Sequence, residues 1–210
     1  LGYPVAIKVL QQDPDPARQR ARSARFRREA RLAAALRHRH VVRVLEAGEL
    51  PDGALYLVME RAEGVPLSAW LDRGRLSPAA AIDLGEQLLA ALAALDAAGI
   101  VHRDIKPENI VLDRAVDGAV HATLLDFGVC KPPRGDDPTL TGAGVLVGTP
   151  CYMSPEQVRG EAVDVRSDLW AVAAVLYEAL AGVPPHDGPT AGAAFASIAG
   201  APATPLRDRA

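Results

Sequence analysis

At 210 residues and 49% hydrophobic content, the chain can bury a core and fill one or two compact domains. Its formal net charge of -3 removes any whole-chain electrostatic reason to expect nucleic acid or an anionic membrane as partner. Two cysteines, Cys130 and Cys151, are too few and too far apart for a disulfide framework or a thiolate metal cluster, which suits a reducing cytosol.

The chain opens at Leu1 inside an apparent strand, with no signal-peptide pattern, and is expected to be a piece of a longer protein. Its longest uninterrupted apolar run, residues 169–177, falls short of the roughly 18–20 residues that span a bilayer, so no membrane segment is expected. Val5-Ala6-Ile7-Lys8-Val9-Leu10 is β-prone, and Asp13-Pro14-Asp15-Pro16 breaks it before a helix over residues 17–36. Phe26, Ala30, Ala33 and Leu36 recur there at helical spacing as an apolar stripe, with Glu29 on its edge. A carboxylate facing a core costs several kcal/mol, roughly, unless it meets a cation, and Lys8 is the expected partner.

Residues 41–45 and 55–60 read as two more strands joined through Pro51-Asp52-Gly53. From residue 68 onward helices dominate. Ser77 and Pro78 look like an N-cap and first helical residue, with Ile82, Leu88, Leu89, Leu92 and Leu95 as the buried face and Gly99 as the stop. Residues 168–180 suggest a central buried helix ending at Gly182, while the Pro/Gly-rich stretches 131–148 and 182–205 read as long loops.

His102-Arg103-Asp104-Ile105-Lys106-Pro107-Glu108-Asn109, followed by the apolar Ile110-Val111-Leu112, reads as a loop on a hairpin. A second apolar run ends in Asp126-Phe127-Gly128 and brings another carboxylate to a strand end. Two acids, an amide and a lysine can converge there. Phosphoryl transfer asks for that set: metal-bound phosphates, neutralised charge and an oriented nucleophile, with little covalent help from protein.

With these residues in order, the sequence resembles the protein kinase family, and within it the bacterial serine/threonine branch. Val5-Ala6-Ile7-Lys8 resembles the family's third-strand lysine motif, Glu29 its helix glutamate and His102 to Asn109 its catalytic loop. Asp126-Phe127-Gly128 resembles its metal-binding motif, Ser154-Pro155-Glu156 the end of its activation segment, and Gly148-Thr149 its substrate-docking loop. Asp168 resembles the aspartate that anchors the catalytic loop.

The resemblance implies an α+β, two-lobed fold, with residues 1–62 as a small β-rich N-lobe and 63–210 as a larger helical C-lobe. Both lobes are expected to be incomplete: the Gly-rich loop belongs before Leu1 and further helices after Ala210, so the fragment alone is expected to be weakly active or inactive. By resemblance Asp104 accepts the substrate hydroxyl's proton, Lys106 neutralises the transferred phosphoryl group, and Asn109 and Asp126 hold Mg2+. Lys8, held by Glu29, grips the ATP phosphates. Ala6, Met59 and Val111 wall the adenine pocket, and backbone groups of Glu60 and Ala62 read the adenine edge.

Arg103 is expected to meet a phosphate on the activation loop, Thr139 and Thr141 to be autophosphorylated, and Thr149 to contact Asp104 and the substrate. The implied partners are ATP, protein substrates and, for autophosphorylation, a second copy. The implied place is the cytoplasm, with any membrane anchor outside this stretch. The rival from another class is a catalytically silent binding module of the same shape. His102 is read as structural, packing against Phe127. The arginines over residues 18–43 are read as a solvated face, and His38, His40, His121 and His186 as surface or packing residues. Asp168 could also cap its helix.

Overall fold

The computed structural model describes residues 2–114, 118–126 and 150–209. Strand β1 (Val5–Leu10) leads to helix α1 (Pro16–Ala35), then β2 (Val44–Glu49) and β3 (Leu55–Glu60). These strands form one antiparallel sheet in the order β1-β3-β2, with Lys8 opposite Leu57 and Ala6 opposite Met59. Asp15 starts α1 by accepting from the Ala17 amide at 2.8 Å, and Pro16 follows at the first helical position, where a missing N–H costs nothing. The helix lays Phe26, Ala30 and Ala33 on the sheet's core side and stops where Leu36 turns extended.

Between β2 and β3 the Asp52 carboxylate accepts from the Ala54 amide at 2.9 Å, and Gly53 takes φ 87° to close the turn. Sequence reading placed the second strand at residues 41–45, but it runs Val44–Glu49. Val41 and Val42 are instead claimed by a second sheet: the Val42 amide donates to the Leu124 carbonyl and the Leu124 amide to the His40 carbonyl, both at 2.9 Å. That sheet is β4 (Val65–Pro66), β5 (Ile110–Arg114) and β6 (Val120–Leu124), in that order.

The second part is mostly helical: α2 (Leu67–Leu71), α3 (Pro78–Ala97), α4 (Pro155–Val158), α5 (Val165–Ala181) and α6 (Ala191–Gly200). Ser77 caps α3 by accepting from the Ala80 amide, as expected. The buried face of α3 departs from expectation. Leu84, Leu88, Leu92 and Leu95 enter the core with Ala81 and Gly85, whereas Ile82 is 62% and Leu89 48% exposed. Gly85 sets that choice: a Cβ there would stand 3.2 Å from Leu176 of α5, so the small-residue side is the one that approaches the neighbouring helix. By length and composition alone α3 could cross a membrane, yet its leucines share one core with Val172 and Val175 of α5.

Helix α5 ends at Gly182 with φ 77°, as read from sequence. Its cap, however, is Asp164, which accepts from the Arg166 amide, and Asp168 lies buried one turn further on. Residues 182–205 are not one long loop, because α6 occupies their middle, capped by Thr190 and burying Ala194 and Ile198.

One tight crossing ties the two sheets' connection together. Gly64, at φ 115°, passes so close to β5 that a Cβ would overlap the Leu112 carbonyl. Gly64→Ala combines left-handed strain with a backbone clash and should cost about 2–4 kcal/mol, read as a lower urea midpoint at unchanged slope. An unchanged midpoint would mean that the crossing is not tight.

Candidate active site

The site is assembled around a buried anion. Asp168 on α5 is 2% exposed, and its two carboxylate oxygens accept from the amides of His102 (2.7 Å) and Arg103 (2.8 Å). Burial pushes its carboxyl above the usual range, while His102 and the two amide donors pull it back. His102 is itself fully buried. Its Nε2 donates to the Leu125 carbonyl at 2.7 Å and its Nδ1 accepts from the Asp104 amide at 3.3 Å, a pair of bonds that defines the neutral ring. Burial lowers its pKa accordingly. Its expected packing against Phe127 lies outside the described residues.

These contacts bend the chain. Arg103 and Asp126, at φ 65° and 53°, are the only non-glycine residues with positive φ among the described residues, and both belong to this site. Asn109 holds the loop's other end: its Nδ2 donates to the Asp104 carbonyl (2.8 Å) and carboxylate (3.0 Å), which leaves its side-chain oxygen as the acceptor. Lys106 Nζ lies 3.3 Å from the same Asp104 carboxylate. The Leu125 amide donates to the Asn109 carbonyl at 2.8 Å and so sets Asp126 beside the loop.

Across the cleft, Lys8 of β1 places its Nζ 3.0 Å from the Asp126 carboxylate. The expected Lys8–Glu29 pair is not made. Glu29 instead lies 3.9 Å from Arg103 and 4.0 Å from Arg25. Burial raises the Glu29 pKa, and Arg103, ahead of Arg25, offsets it. The cation nearest Glu29's half-buried carboxylate is therefore an arginine from the loop over residues 102–109, the same Arg103 that was expected to meet a phosphate. Thr139, Thr141, Thr149, Gly148, Phe127 and Gly128 lie outside the described residues.

Lys8 and Asp126 form one end of a cavity of about 360 Å³ whose apolar walls are Ala6, Met59, Val42 and Leu125, with Glu60 and Ala62 on its rim. Val111 does not line it; it is buried in β5, paired with Pro66 and Thr123. Sequence reading missed Val42 and Leu125: one sits in a valine run that looked like a strand interior, the other is masked by the acidic motif it precedes. It also missed Gln157. The Ser154 hydroxyl and the Gln157 side chain close a reciprocal cap at the start of α4, and Gln157 Nε2 also donates to the Arg103 carbonyl at 3.1 Å. Glu156 next to it accepts from the Ser167 hydroxyl of α5.

The protein kinase domain family matches residues 2–201. The chain belongs to the protein kinase family. It is 44% identical over 190 residues to serine/threonine-protein kinase pkn2 of Myxococcus xanthus, an alignment covering 90% of this chain and 22% of that protein. It is 40% identical over 190 residues to pkn3 of the same organism, covering 89% of the chain and 35% of the relative. To PknB of Mycolicibacterium smegmatis it is 40% identical over 212 residues, covering 98% and 33%. The chain thus spans about a fifth to a third of these kinases' lengths. Its sheet-rich first part and helical second part are the two-lobed kinase fold.

The aspartate inside α5 and the one that caps it should separate in their cost. Asp168→Ala strands one buried and one half-buried amide and is expected to cost about 3 kcal/mol, whereas Asp164→Ala removes an exposed cap worth about 1 kcal/mol. Urea denaturation of both variants checks this, and equal losses would reduce Asp168 to a cap.

Proposed function

We propose that the protein carrying this chain is a serine/threonine protein kinase that uses Mg-ATP, with residues 1–62 and 63–210 as the two lobes between which the nucleotide sits. The observation that supports it most directly is the convergence of Lys8, Asp126 and the Asn109–Asp104–Lys106 cluster at one end of an apolar cavity. Its relatives' names and the lysine at position 106 favour serine and threonine as acceptors.

The adenine would lie between Ala6, Met59, Val42 and Leu125. The Glu60 amide already donates to the Arg43 carbonyl at 2.9 Å, so Glu60 would offer its carbonyl and Ala62 its N–H to the base edge. The donor set suits magnesium, a hard cation that takes a few protein oxygens and fills its shell with phosphates and water. Asn109 has its amide nitrogen tied to Asp104 and its oxygen left over, and Asp126 supplies a carboxylate. When bound, the ion would neutralise phosphate charge.

Asp104 would orient the acceptor hydroxyl and take its proton, held in place by Asn109, while Lys106 would balance charge on the moving phosphoryl group. Lys8 would have to leave Asp126 to grip the phosphates, and Glu29 would have to exchange Arg103 for Lys8 to support it. Such an exchange links Arg103, and through it phosphates on Thr139 or Thr141, to the position of Glu29. Autophosphorylation by a second copy would supply them. With ATP as donor, the domain would work in the cytoplasm.

The intact protein, Asp104→Asn and Asp126→Ala should be compared for transfer of γ-labelled phosphate to a generic protein substrate. Asp104→Asn is expected to lower the rate at least about 100-fold, and Asp126→Ala to bring it to background. Label should sit on serine and threonine only. Equal incorporation by the intact protein and Asp126→Ala would defeat the kinase reading.

A further inference from the structure

A second concavity backs onto the first. It has a volume of about 300 Å³, and four arginines line it, Arg37, Arg39, Arg43 and Arg61, against a single carboxylate, Glu60. It shares Val42, Glu60, Arg61 and Ala62 with the nucleotide cavity, so the strand end that would read adenine forms a common wall. The sequence attributes the arginines over residues 18–43 to a solvated helix face, but α1 ends at Ala35, and Arg37, Arg39 and Arg43 all lie beyond it. They converge from the connection and the residue before β2, and Arg61 reaches the same pocket from the end of β3.

The charges are not cancelled locally. Arg43 lies 3.3 Å from Glu60 and Arg61 lies 3.9 Å from Glu63, both in half-exposed or exposed pairs worth little in water. Arg37 donates to the Ala34 carbonyl at 3.3 Å, which holds it without neutralising it. Neither Arg37 nor Arg39 has a carboxylate partner among the described residues. Four guanidinium groups against two carboxylates, Glu60 in the lining and Glu63 beside Arg61, make a surplus of positive charge on a chain whose net charge is -3.

We propose that this hollow binds the phosphate of a phosphorylated threonine or serine side chain on a protein segment. Guanidinium forks match phosphate oxygens in pairs, and a phosphomonoester carries nearly two negative charges at neutral pH. A compact hollow of this size takes one phosphorylated side chain and its flanks, whereas nucleic acid asks for a basic stripe along a surface. The choice of a phosphorylated residue as the source rests on the kinase reading, since such an enzyme makes this group. The test below uses no nucleotide and a peptide phosphorylated by synthesis, so its failure and that of the kinase reading are separate results.

Binding of a short fluorescent phosphothreonine peptide to the intact protein is measured by anisotropy without nucleotide, at about 0.15 M salt, where weak charge attraction is screened. The phosphopeptide is expected to bind about tenfold or more tighter than its unphosphorylated twin. Arg37→Ala/Arg39→Ala should abolish that preference, and the corresponding double lysine variant should restore part of it. An unchanged melting temperature and ATP-dependent activity in the alanine variant would show that the fold is kept. Four results would overturn the proposal: no preference for the phosphopeptide, a preference that survives in the double alanine variant, loss in Arg103→Ala alone, or competition by inorganic phosphate or duplex DNA as strong as that by the phosphopeptide.

Discussion

The buried carboxylate of Asp168 is the constraint on which the site's geometry depends. A charge that has lost its water must find donors nearby, and the donors it finds are two consecutive backbone amides, those of His102 and Arg103. Taking both forces Arg103 into a left-handed backbone conformation, and that turn brings Asp104 and Lys106 together. His102 then carries the constraint onward, because its ring joins the Asp104 amide to the Leu125 carbonyl and so couples the loop to the end of β6. The strain at Arg103 and Asp126 is local, and helix α5 and the second sheet supply the rigid frame that sustains it.

Much of this was legible in the sequence, for a physical reason. Lys8, Asp104, Lys106, Asn109 and Asp126 stand in motifs of fixed residue type and spacing, so their convergence around one cleft could be expected from a single sequence. Caps are local too, and Ser77 and Gly182 were read correctly because a side chain or a φ angle within a few residues decides them. The reading failed where the decision belongs to distant residues. Val41 and Val42 look like strand, but the hydrogen bonds that claim them come from Leu124, some eighty residues away. Ile82 and Leu89 are as apolar as Leu88, but Leu176 packs on the Ala81–Gly85 side of the helix. Helix α6 was hidden by the prolines and glycines around it, which outweighed its own alanines and the Thr190 cap.

The partner of Glu29 illustrates the same limit in electrostatic terms. Helical periodicity places this carboxylate at the edge of the core and says that it needs a cation, but periodicity cannot say which. Arg25, Arg28, Arg103 and Lys8 are candidates, and the choice depends on how α1 sits against the loop over residues 102–109. In this arrangement Arg103 and Arg25 lie near Glu29, at separations that admit attraction without a tight hydrogen-bonded pair. Lys8 meanwhile makes a closer contact, 3.0 Å, with Asp126.

In the structure Lys8 lies with Asp126 and Glu29 lies near Arg103. The exchange proposed above would pair Lys8 with Glu29 instead. Any additional positive charge at Asp126 lowers the value of Lys8 there, and any negative charge at Arg103 lowers the value of Glu29 there. Both changes favour the same exchange, toward Lys8 with Glu29. Because an equilibrium moves only by the difference in affinity for its two states, the loose 3.9 Å contact between Glu29 and Arg103 matters: little attraction must be given up to break it. The half-burial of Glu29 supplies the other side of the balance, since its carboxylate cannot simply turn to water, and it leaves one cation only by reaching another.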